Sequence, residues 1–247
     1  MATINLNTRH IRLKLVISFL IFVITSLLLC KPSFSANLSA GGETFHVVPP
    51  KGLVDFTGRD KFADGLAQAT TNKSFLLMAT YLTDEDVARS LKGELPLANK
   101  YAMLTMHRDF LTRKITAKEF IIHRNNFRDE MEQAVKDLSG KVDLSNAERF
   151  LRDRTGVEAA MKVTDMIPLG VKSESNRHIG YGMLYKGTIS IKGKTISSVL
   201  VAEMNLVYTR KKILFLKTYA LFETPEDVAW VRKVSAEFVN NLIRDNP

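Results

Sequence analysis

The sequence predicts an α+β fold, an antiparallel β-meander with helices packed on it. Three observations predict this. Beyond Gly156, apolar and polar residues alternate over three successive stretches, and a fourth, 213–222, is apolar on both faces. Between Thr83 and Gly156, helix-start signals recur. The chain then closes on an amphipathic helix opened by Thr224-Pro225.

The N-terminus comes first. Residues 1–14 carry Arg9, Arg12 and Lys14 and no acid, and 16 uncharged residues follow from Leu15 to Cys30. Lys31 ends the run, Pro32 breaks any helix, and Ser33 and Ser35 sit two apart before Ala36. Basic, then apolar, then small-x-small is the order of a secretory signal peptide. Residues 1–35 are therefore read as a signal peptide cleaved after Ser35. The alternative is an uncleaved anchor, since the run is only a little short of the roughly 20 residues a spanning helix needs. In either case the rest of the chain is expected to be exported, periplasmic or secreted, or held at the membrane facing outside. Leu28-Leu29 precedes Cys30, where a lipoprotein signal requires small residues, so Cys30 is read as apolar filling.

Cleavage removes four of the 35 Lys and Arg and none of the 26 acids, so the net charge falls from +9 to +5. The mature chain is mildly basic and has no cysteine. A disulfide scaffold and thiol chemistry are excluded, and stability must come from an ordinary core.

Residues 36–44 read as a flexible leader, and 45–247 as a single domain with a helical block at 83–155. Phe45 to Val48, stopped by Pro49-Pro50, reads as an edge strand. Ser74 to Leu82 is apolar throughout and suits a strand covered on both faces. Thr83 with Asp84, Glu85 and Asp86 reads as a helix cap with acids in the first turn. Pro96 is expected to open a second helical segment running to about Phe110. Thr116-Ala-Lys-Glu119 is a capping box that opens the longest helix, to about Leu138. Ser145-Asn-Ala-Glu148 reads as another, opening a helix that ends at Gly156.

The meander follows over 157–167, 181–191, 195–208 and 213–222. Ser173 to Asn176, Lys192-Gly193 and Thr209 to Lys212 are its turns. One face is apolar, through Tyr181, Met183, Tyr185, Met204 and Leu206. The other carries Glu158, Lys162, Lys186, Ser190, Glu203 and Asn205 and is expected to be wetter. The last helix presents Val228, Val231, Phe238 and Leu242 at helical spacing, a stripe expected on the apolar face.

The start FHVVPPKGL (45–53) and the end ILFLKTYALFETPEDVAWVRKVSAEFVNNLIRDN (213–246) resemble the opening strand, last strand and final helix of PsbP/Mog1-like domains. The end also resembles the tails of exported bacterial proteins with no assigned role. The resemblance implies an α-β-α sandwich used mostly for docking to other macromolecules, and it carries over no catalytic residue.

The motifs that could carry chemistry fail on spacing. GTISIKGKT (187–195) has one residue too many for a phosphate-binding loop and lies between strands. His46, His107, His123 and His178 lack metal-ligand spacing. His107-Arg108-Asp109 matches a kinase catalytic loop in three letters only, and reads as helix surface. No G-x-S-x-G is present. No cofactor and no metal are expected. Arg108, Arg113, Lys114, Lys118, Arg124 and Arg128 face only Asp109 and Glu119 in the same stretch, a candidate surface for anionic lipid or an acidic partner. Nucleic acid is not expected, because the stretch lacks aromatic interleaving of the kind that stacks bases. The sequence thus points to a non-enzymatic exported module that docks on an envelope protein or an anionic lipid surface. The alternative is an exported hydrolase with a pocket on the polar sheet face, lined by Glu158, Lys162, Lys186, Glu203 and Asn205.

Overall fold

The computed structural model describes residues 35–92, 98–138, 144–156, 158–191 and 194–247. The expected signal peptide and the Lys192-Gly193 turn lie outside the described residues.

Seven strands form one antiparallel sheet in the order β3-β4-β5-β9-β8-β7-β6. They are β3 (Leu53–Asp55), β4 (Phe75–Thr83), β5 (Lys100–His107), β6 (Ala159–Glu174), β7 (His178–Ile191), β8 (Lys194–Thr209) and β9 (Lys212–Leu221). The meander β6 to β9 is as expected. Its last strand returns to pair with β5, so residues 108–211, including β6 to β8, are an insertion between two strands that lie side by side. The helices are α1 (Lys61–Thr70), α2 (Asp84–Leu91), α3 (Asp109–Thr112), α4 (Ala117–Leu138), α5 (Ser145–Thr155) and α6 (Pro225–Asp245).

Two expected caps form as the sequence implies. Thr83 Oγ1 accepts the Asp86 N–H at 3.2 Å. At α4 the Thr116 N–H donates to Glu119 Oε2 at 2.7 Å, and the Glu119 N–H returns to Thr116 Oγ1 at 3.2 Å. The box expected at Ser145 does not form. Leu144 is the N-cap without a side-chain bond, and Glu148 instead accepts the Met161 N–H at 2.6 Å, tying α5 to β6.

Within the segment expected to be helical from Pro96 to Phe110, the described residues form strand β5 and the start of the single turn α3. The sequence of β5, KYAMLTMH, is buried through Ala102 to Met106, and β4 and β9 flank it on either side in the sheet. The stretch 36–44, expected to be a loose leader, instead forms β1 (Ala36–Ala40) and the start of β2 (Glu43–Val47), a separate two-stranded hairpin. Gly41 turns it at φ 63°, and a Cβ there would meet Leu111 O at 2.7 Å.

Both sheet faces are covered, giving the α-β-α sandwich. The stripe of α6 does not lie on the face expected. Val231 packs with Val201 and Ala220, and Phe238 meets Tyr81 edge-on at 4.9 Å. By strand alternation, that face also carries Glu203 and Asn205. The opposite face is covered by α4, whose Phe120 stacks on Tyr208 at 5.2 Å, and by α1, α2 and α5 toward β4 and β6.

Asn246 fastens the two ends of the domain. It is fully buried. The His46 N–H donates to its Oδ1 at 2.7 Å, and its Nδ2 donates to His46 O at 2.8 Å and Leu242 O at 3.0 Å. Asn246→Ala removes these bonds and leaves buried backbone groups unpaired. A loss of about 2 kcal/mol is expected, read as a lowered urea midpoint at unchanged slope.

Candidate functional site

The six cations read from the sequence do not form one free surface. Arg124 and Arg128 both reach Glu174 beside the β6–β7 turn, Arg124 at 3.2 Å, and Arg124 also donates to Ser175 O at 2.7 Å. These two arginines brace a turn. Arg113 lies 3.5 Å from Glu119, and Arg108 donates to Lys73 O at 2.9 Å. The fold leaves Lys114 and Lys118 exposed and without an ion pair among the described residues.

Two further cations join them. The Ile115 N–H donates to Lys211 O at 2.8 Å, and Tyr208 Oη donates to Ile115 O at 2.9 Å. These bonds pin the loop before α4 to the β8–β9 turn. Arg210 and Lys211 form the tip of that turn, exposed and likewise without an ion pair among the described residues. Both take positive φ, 47° and 58°. A two-residue hairpin of this geometry favours Asn-Gly, so the cationic pair sits there at a steric cost. Ile122, one turn beyond Lys118 on α4, is 54% exposed. The result is an end of the domain carrying Lys114, Lys118, Arg210 and Lys211 beside an apolar side chain. Only half of it was named from the sequence. The turn was recognised at Thr209 to Lys212, but its approach to residue 115 is a tertiary contact.

Lys212 lies directly behind this end and is 1% exposed. Its Nζ donates to Phe110 O at 3.0 Å, Leu111 O at 3.0 Å and Arg113 O at 2.7 Å, collecting the carbonyls at the close of α3. Burial holds its pKa below the ordinary lysine value.

Among the described residues, those expected to line a pocket on the polar sheet face do not gather at one cleft. Glu203 and Asn205 are 3% and 1% exposed, because α6 lies over them. Lys186 is at the exposed part of β7 and pairs with Asp165 at 3.3 Å, and Lys162 is exposed. Glu158 lines a cleft of about 630 Å³ between α5 and β6 with Glu148, Arg152 and Ser190, and none of the other four joins it. Alternation placed these residues on one face, but a sheet face becomes wet only where no helix covers it.

Around Glu203 the packing is close and polar. A Cβ at Gly180 would come within 2.5 Å of Asn205 Oδ1, 2.7 Å of Ser173 Oγ and 2.9 Å of Glu203 Oε1. Burial pushes the Glu203 pKa up to about 7, against the pull of the Asn205 amide, Arg232 and Lys172. At the opposite edge of α6, the Asp227 carboxylate accepts the Glu223 and Thr224 N–H groups at 3.1 and 3.0 Å and meets Lys100 at 3.0 Å. These partners hold its pKa down at about 2, Lys100 contributing most. His107 and His123 both pack against Phe110, at 5.7 and 5.2 Å between ring centroids. His107 ends β5 and does not lie on a helix surface. No group of three or more His, Cys, Asp or Glu fit to hold a metal occurs among the described residues. No helix among them is long and apolar enough to cross a membrane.

Among solved structures, the chain is similar to the Ran-binding protein Mog1p of Saccharomyces cerevisiae and to a point mutant of the protein Mog1. Identity is 10% in both cases, and 87% of this chain is covered. The mutant is covered over 94% of its length at a TM-score of 0.38, and Mog1p over 95% at 0.37. The weak Mog1-like resemblance read from the two ends of the domain is thus met in solved structures. Overlap of this extent carries nothing about function. No protein-family model matches the chain, and no curated protein matches it.

Proposed function

We propose that the domain is an exported binding module that docks on anionic lipid surfaces through its cationic end. The observation that carries this reading is the convergence of Lys114, Lys118, Arg210 and Lys211 on two loops pinned together by the Ile115–Lys211 bond, with Ile122 exposed beside them. Four cations near an anionic membrane contribute about 1 kcal/mol each, and salt screens them. Ile122 adds apolar contact at the headgroup boundary. Export, expected from residues 1–35, supplies the encounter with a membrane surface. The hydrolase alternative draws no support from Glu203 and Asn205, which lie buried under α6.

The test is sedimentation with vesicles of phosphatidylglycerol and phosphatidylcholine at low and high salt. Binding is expected to the anionic vesicles at low salt and to fall steeply as salt rises. Lys114→Gln combined with Lys211→Gln removes two of the four charges, and an affinity loss of roughly thirty-fold is expected. Binding to neutral vesicles alone, or an affinity that the double variant leaves unchanged, counts against the reading. Capture of an acidic envelope protein by the same residues, without vesicle binding, would replace lipid with protein as the partner.

A further inference from the structure

The sheet face opposite α6 carries a second cation that the docking end does not use. Lys217, on β9, is half-buried and pairs across the sheet with Met103 of β5 and Met204 of β8. Its Nζ lies 4.8 Å from the Phe75 ring centroid, and Phe75 meets Phe215 edge-on at 4.9 Å. Two residues along β9, Tyr219 stacks on Tyr101 with 4.7 Å between centroids and 17° between planes. Tyr185 of β7 lies 6.5 Å from Tyr219, and among the described residues its hydroxyl donates to the Met204 sulfur at 3.5 Å. The three tyrosines, Phe215 and Met204 are all half-buried, so solvent still reaches this floor.

Lys217 makes no hydrogen bond and no ion pair among the described residues. Burial alone lowers its pKa, with no carboxylate to oppose it. A cation–π contact worth about 0.5–2 kcal/mol stabilises the charge but takes none of its three donors. An ammonium on a largely apolar floor, with its donors unspent, is complementary to an anion arriving with its own apolar body. The flanking residues indicate the kind of body. The Tyr101 and Tyr219 faces are already spent on each other, and what borders Lys217 on either strand is the thioether of Met103 or Met204. Thioethers adapt to a flexible chain.

We propose that this floor binds a medium-chain carboxylate, with its head on Lys217 and its hydrocarbon chain along Met204, Tyr219 and Tyr185. The site is distinct from the cationic end and stands whether or not that end binds lipid.

The experiment is calorimetric titration of the full domain with decanoate and with decanol, each below its micellar or solubility limit. Decanoate is expected to bind at micromolar concentration and decanol at least tenfold more weakly. Lys217→Met is expected to bring the two affinities together, and Lys217→Arg to keep them apart. In the unmodified protein, the Lys217 ammonium followed by NMR should titrate at higher pH once decanoate is bound, a readout that does not depend on any variant folding. Equal affinities for the two ligands in the unmodified protein, decanoate binding that Lys217→Met leaves unchanged, or no binding up to about 1 mM overturns the proposal. The Lys114→Gln and Lys211→Gln double variant is expected to bind decanoate normally, which separates this site from the docking end.

Discussion

Lys212→Met is expected to destabilise the domain by about 3 kcal/mol. Three backbone carbonyls, of Phe110, Leu111 and Arg113, take their hydrogen bonds from this one ammonium. A buried acceptor left without a partner costs about 1–3 kcal/mol, and the carbonyls nearer the surface recover part of that from water. The desolvation that lowers the lysine pKa is a cost of the native state, and removing the charge returns it. The carbonyls belong to the backbone, however, and no substitution takes them away. Methionine fills the stem and leaves the acceptors unmatched, so the loss dominates. The measurement is the urea midpoint, which should fall by roughly 1.5 M for a slope near 2 kcal/mol/M. A midpoint within 0.3 M of the original, an allowance set by about half a kcal/mol, means that water satisfies all three carbonyls and the lysine is dispensable.

Glu203→Gln is expected to do the opposite, with a gain that grows from about pH 4.5 to about pH 7. The folded-state pKa of Glu203 is raised to about 7 from an ordinary value near 4.5, with burial under α6 as the main cause. A carboxyl with a raised pKa binds its proton more tightly in the folded than in the unfolded chain. Its contribution is therefore most favourable below about pH 4.5. It is lost progressively as pH rises to about 7, and above that it is constant. The difference across the window is roughly 3 kcal/mol. Glutamine stays neutral throughout. The variant should match the original protein near pH 4.5 and exceed it by roughly 3 kcal/mol at pH 8, read from denaturant midpoints at both pH values. A gain of the same size at both pH values would place its origin in packing and not in charge.

How much of this was legible in the sequence depends on whether the cause was local. The Thr116–Glu119 cap, the Gly156 stop and the acidic start of α6 are decided within a few residues, and each forms as read. The four-strand meander was legible because alternation and turn residues agree. Strand β5 was misread because an apolar run between two covered faces has no alternation to show, and Pro96 upstream suggested a helix start. The side of the sheet chosen by α6 was misread for a related reason. Alternation along β8 places Glu203 and Asn205 together but cannot reveal that Val201, Leu216 and Ala220 make their face apolar enough to receive a helix. The functional residues divide the same way. Lys114 and Lys118 stand out as part of a charge run, whereas Lys212 and Lys217 differ only in what meets them across the sheet. The carbonyls that hold Lys212 belong to residues about a hundred positions earlier.

The Asn246 clip joins residues 200 positions apart. Synthesis delivers the β1–β2 hairpin first and its anchor last. An isolated two-stranded hairpin is at best marginally stable in water. The front of the domain must therefore wait, unpaired with its final partner, until the tail arrives. Pairing across so long a separation is intrinsically slow, so the hairpin is expected to be among the last parts of the domain to become fixed.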